Sequence, residues 1–80
     1  MNDTLAALLG VDQPDVKSFA QQAGEIKTML ENKQLNESEY NELMGDLNQT
    51  AQIAAAAVDQ QVQTAMNQVL NGLVALAGAI

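Results

Sequence analysis

The stretch YNELMGDLNQTAQIAAAAVDQQVQTAMNQVLNGLVALAGAI, residues 40–80, has no proline and carries apolar side chains at one regular interval along its whole length. They fall at Tyr40, Leu43, Leu47, Ala51, Ala54, Val58, Val62, Ala65, Val69, Leu73, Leu76 and Ile80, in steps of three and four that recur every eleven residues. A second column, Met44, Ala55, Met66 and Ala77, keeps the same interval. An eleven-residue period is about 3.67 residues per turn, so a single straight helix holds all of these positions on one face. Read from Glu37 to the C-terminus, that helix is roughly 66 Å long at ~1.5 Å per residue.

Upstream of this stretch lies the clearest local signal. Asn36 is a capping residue, Glu39 stands three positions later as in a capping box, and Leu35 is placed to staple onto Tyr40. Glu37, Glu39, Glu42 and Asp46 then load the first turns of the helix with carboxylates, which favour the positive end of its dipole. Before it, Pro14 suits the first position of another helix, with Asp12 or Gln13 preceding it. Val16, Phe19, Ala23, Ile26 and Leu30 follow the 3-4 spacing of a helical seam up to about Lys33, with Ala20 and Met29 widening the stripe. Lys27 and Glu31 are set one turn apart on the outer side. At the start of the chain, Asn2 or Asp3 caps a short helix, Asp3 to Leu9, that ends at Gly10. Barely two turns long, it needs Leu5, Leu8 and Leu9 to anchor it on something else.

The expected fold is therefore all-α: an anchoring helix and connector over residues 1–13, a second helix over 14–35, and a long amphipathic assembly helix over 36–80. The second and third form an antiparallel helical hairpin within an oligomeric helical bundle. Val16, Phe19, Ala23, Ile26, Leu30, Tyr40 and Leu43 are the expected hairpin core. Helix two offers only about 30 Å of cover. Leu47, Ala51, Ala54, Val58, Val62, Ala65, Val69, Leu73, Leu76 and Ile80 are accordingly expected to form an interaction stripe, about half of it uncovered within one chain.

Composition bounds the chemistry. The chain has three lysines and no Arg, His, Cys or Trp, and its formal charge is −7. Without His or Cys, the usual general base, nucleophile and soft metal ligand are all missing. Ser18, Ser38, Tyr40 and the threonines have no basic partner at helical spacing, so no catalytic residue is expected. Direct nucleic-acid binding is opposed by the charge, since phosphate contacts rest on Lys and Arg. Anionic membrane surfaces are disfavoured for the same reason. The acidic group at Glu37, Glu39, Glu42 and Asp46 lacks the tight, glycine-hinged loop of a cation site and reads as a solvated helix start. No metal or cofactor is expected.

Beyond Asp46 the character changes. From Leu47 to Ile80 the one charged residue is Asp59, and the polar side chains are mostly Asn and Gln. From Val69 onward Leu70 and Val74 join the stripe, so the end of the chain is apolar nearly all round, as in a helix buried among others. Twelve residues fall short of the ~20 needed to span a bilayer. Met1-Asn2-Asp3 has no basic region and Leu5–Leu9 is too short an apolar run for a signal peptide, so the chain is expected to be cytoplasmic at synthesis, with incorporation in a virion or other large assembly open to it afterwards. In composition alone, with no residue-level motif, this Gln/Asn/Ala-rich, base-poor helical chain is similar to minor structural and scaffold-type proteins of bacteriophage virions.

The expected function is a non-catalytic structural or assembly subunit, self-associating or held by a larger protein complex. An acidic inhibitor or chaperone of a basic protein is the alternative.

Overall fold

The computed structural model describes residues 2–79, and every regular element among them is an α-helix. The order is α1 (Asn2–Leu9), α2 (Pro14–Glu31), α3 (Glu37–Ala55) and α4 (Gln60–Ala79). Four helices stand where the periodicity predicts three, because the long C-terminal helix is interrupted at residues 56–59. Each half of the broken helix is then free to lie back on the other helices, and the molecule measures 33 × 22 × 16 Å.

Local chemistry accounts for most of the boundaries. Gln13 caps α2, its side-chain oxygen accepting from the Asp15 N–H at 3.3 Å, and Pro14 takes the first helical position. The helix stops at Glu31, two residues short of the expected end. Lys33, with φ of 56°, takes the left-handed conformation just beyond it. The Gln34 N–H donates to the Met29 carbonyl at 2.8 Å and the Lys33 N–H to the Leu30 carbonyl at 3.1 Å, which closes the helix with its last carbonyls satisfied. Gly10, expected to act in the same way after α1, is not in the left-handed region. Its N–H bonds back to Ala6 and Ala7 instead. The expected cap of α1 is also displaced, since Asn2 is already helical.

The start of α3 follows the sequence closely. The Asn36 side chain accepts from the Glu39 N–H at 2.8 Å, and the Glu39 carboxylate accepts from the Asn36 N–H at 3.2 Å. Asn36→Ala is expected to lower stability by about 0.5–2 kcal/mol, because the Glu39 N–H loses its acceptor. A chemical-denaturation midpoint unchanged from wild type would show that this cap contributes nothing.

The core is formed by one face from each helix. Leu5 and Leu8 of α1, Val16, Phe19, Ala20, Ala23, Ile26 and Leu30 of α2, Met44, Leu47, Ala51 and Ala54 of α3, and Met66, Val69 and Leu73 of α4 are all buried. Among the described residues no polar or charged side chain is buried. Contacts between helices run from α2 to each of the other three, and α4 also packs on α1 and, less extensively, on α3. Thus α2 is the central element, and its 3-4 seam faces inward at every position named from sequence. The anchoring role of α1 is shared by Leu5 and Leu8 only, for Leu9 is 44% exposed.

Candidate interaction surface

The interruption of the long helix decides what the stripe does. Leu47, Ala51, Ala54, Val69 and Leu73 lie in the core, while Val58, Val62, Ala65 and Leu76 are half-buried against it. Ile80 lies outside the described residues. The expectation that half of the stripe is uncovered thus fails for this chain alone: folding at residues 56–59 brings α4 onto α1 and α2, and the stripe becomes internal. The earlier positions divide similarly. Val16, Phe19, Ala23, Ile26 and Leu30 are buried, whereas Tyr40 and Leu43 are half-buried and Met44 supplies the buried contact at that level.

Local bonding at the break explains how α3 ends without a glycine or proline. The Ala57 N–H turns back to the Ala54 carbonyl at 3.0 Å, a tightened final turn. Asp59 caps α4: its carboxylate accepts from the Val62 N–H at 3.0 Å and its carbonyl from the Gln63 N–H at 3.1 Å. The Gln63 side-chain amide reaches back across the turn and donates to the Ala55 carbonyl at 2.8 Å and to the Val58 carbonyl at 3.3 Å. These contacts leave the carbonyls at the end of α3 with donors, although the residues there are the best of helix formers.

What remains on the outside is a different set of residues. Ile53, 57% exposed, and Val74, 58% exposed, are the large apolar side chains on the surface of α3 and α4. Ile53 is outside the eleven-residue pattern and was not singled out by it; its place between Gln52 and Ala54, opposite the stripe, is the signal in the sequence. Val74 borders an open cleft of about 530 Å³ shared with Leu30, Leu35, Tyr40 and Ala77, with Asn36, Glu37 and Asn41 at its polar edge. A second, smaller groove of about 260 Å³ runs between α3 and α4. Its walls are Asn48, Ala51, Gln52, Ala55, Gln63, Met66, Asn67 and Leu70, with no charge among them.

The carboxylates of α3 lie in its first half. Glu37, Glu39, Glu42 and Asp46 are all exposed along the first half of α3, and Glu39 is already engaged in the cap. Among the described residues no group of three or more carboxylates is arranged to hold a metal ion. Lys27 and Glu31 of α2 pair at 3.0 Å with Glu31 half-exposed, a contact worth a few tenths of a kcal/mol. Thr50 Oγ1 lies 3.1 Å from the Gln22 side-chain oxygen on α2 and 3.1 Å from the Asp46 carbonyl, so its single proton is shared between a link across helices and a bond within α3. No described helix is long and apolar enough to cross a membrane.

Neither protein-family models, nor curated proteins, nor solved structures gave a match to this chain.

Proposed function

We propose that the chain is a non-catalytic structural or assembly subunit that packs, with copies of itself or within a larger protein complex, through the charge-poor surface of α4 and the second half of α3. One observation carries this reading. In a protein of net charge −7, Asp59 is the sole charged side chain from Leu47 onward, and the other exposed residues there are amides, alanines, Thr64, Gly78, Ile53 and Val74. Amides and apolar groups are covered by a neighbouring protein without the desolvation cost of charge. A virion or a comparable large assembly, entered from the cytoplasm, suits such a subunit.

The absence of catalysis in this proposal rests on chemistry. With no His, Cys or Arg in the chain, and every hydroxyl-bearing side chain at an exposed or half-exposed helical position, no nucleophile has a base beside it.

The exposed carboxylates of α3 favour a second reading, an acidic inhibitor or chaperone for a basic protein. Ionic strength separates the two: charge pairing at a rim weakens as salt rises, and association through amides and apolar groups does not. Mass measured over a range of concentrations and salt is expected to show association that persists at high salt. Ile53→Asp combined with Val74→Asp should keep the fold, since both side chains are more than half exposed, yet weaken association through this surface. Undiminished association of that folded double variant would exclude this surface.

A further inference from the structure

We infer that the face of α1 and α2 that seats α4 is also the docking surface for α4 of a second copy of this chain, reached by straightening the break at residues 56–59 into a continuous helix from α3 through α4. The inference goes beyond the proposed assembly through the outer surface, because exchange uses the buried face of α4.

Three features of the chain point to this occupant. First, the apolar steps run unbroken across the turn, from Ala54 to Val58 to Val62, in the phase of one helix. Two helices joined by a permanent turn have no need of a shared phase; a straight helix does. Second, the turn follows Ala54-Ala55-Ala56-Ala57, a run with the highest helix propensity and no Gly or Pro. Ala56 itself keeps helical angles, φ −68° and ψ −19°. The local sequence therefore does not demand the break; burial of Val69 and Leu73 does. Third, the broken state is held by side chains standing in for backbone groups. In an unbroken helix the Ala55 carbonyl accepts from the Asp59 N–H and the Val58 carbonyl from the Val62 N–H. Here Gln63 Nε2 donates to both carbonyls, and the Asp59 carboxylate takes the Val62 N–H. The Ala55 and Val58 carbonyls and the Val62 N–H thus have partners in both states.

Straightening exposes Val62, Val69 and Leu73, which a single chain then leaves uncovered. A second open copy covers them with the same α1 and α2 contacts that exist within one chain, so the exchange loses no packing and restores the helical bonds at the turn. The docking site and its ligand are already matched, because each is half of the closed molecule.

The test uses the full chain. Asn48→Cys and Asn67→Cys place spin labels on two residues that wall one groove in the closed form. In a continuous helix they stand about 28 Å apart at ~1.5 Å per residue. With labelled chains diluted into unlabelled ones, the dimer fraction is expected to show the ~28 Å distance. Asp59→Ala with Gln63→Ala should dimerise at a concentration at least tenfold lower than wild type. Ala57→Gly, which disfavours the continuous helix, should raise the required concentration roughly tenfold. Should the double variant unfold, the wild-type distance and the Ala57→Gly shift decide the matter. A dimer that keeps the short closed-form distance overturns the exchange and leaves assembly through the outer surface standing. A monomer at every concentration in all variants overturns exchange and self-assembly together.

Discussion

A chain ending at Gln68 is expected to lose the cooperative thermal transition of the full-length protein. The deletion removes Val69 and Leu73, 1% and 0% exposed, together with the half-buried Leu76. At about 1.5–3 kcal/mol for each fully buried aliphatic side chain, the first two alone account for roughly 3–6 kcal/mol. A domain of this size has a total stability of only about 4–12 kcal/mol, taking ~0.05–0.15 kcal/mol per residue. The deletion also shortens α4, one of the two helices on which α1 packs, to residues 60–68. Circular dichroism on heating should show a shallow, low-amplitude decline with residual helix confined to α2 and α3. A sharp melt within a few degrees of the full-length chain would mean that α4 is dispensable to the fold and that its burial contributes little.

Phe19→Ala is the most damaging single substitution expected in the molecule. Phe19 is the only phenylalanine in the chain, is 0% exposed, and is the largest of the fully buried side chains. It sits on α2, the helix that touches all the others. Truncation there leaves a cavity in the core, at a cost of about 3–5 kcal/mol. Ile53→Ala, an aliphatic truncation at a position 57% exposed, is expected to change stability by no more than about 0.5 kcal/mol. Urea denaturation of the two variants separates them clearly. Equal losses would show that the arrangement of α2 in the core is not the one described.

The seam of α2 and the start of α3 were legible because each is written in short-range chemistry. Val16, Phe19, Ala23, Ile26 and Leu30 share a face by spacing alone, and the Asn36–Glu39 pair needs no partner outside its own turn. The break at residues 56–59 was illegible for the opposite reason. Its neighbours are alanines and the apolar phase passes through it, so nothing local signals an end; the decision is made by core burial at Val69 and Leu73, dozens of residues from the α2 side chains they meet. Asp59 was the available hint, as an N-cap residue and the lone charge of its region. The candidate surface inverted with it. Residues chosen for their apolar repeat line the core, and the positions left outside are Ile53, which the repeat does not count, and Val74, which joins the stripe only at its end. The end of α1 shows a smaller version of the same limit, since spacing within two turns cannot tell that Leu8 is covered while Leu9 is not.

The three connections of the molecule, residues 10–13, 32–36 and 56–59, are each about one helical turn in length. Each closes a loop whose entropy cost is small. Every helix therefore finds its next neighbour by a local search, and most native pairings join segments close in sequence. Chains with that topology cross their folding barrier in microseconds to milliseconds, about as fast as helical domains do. In a growing polypeptide, α1, α2 and α3 emerge in an order that lets each collapse on the one before. The partly made protein goes without the contacts that α4 makes on α1 and α2 until that helix has emerged in turn.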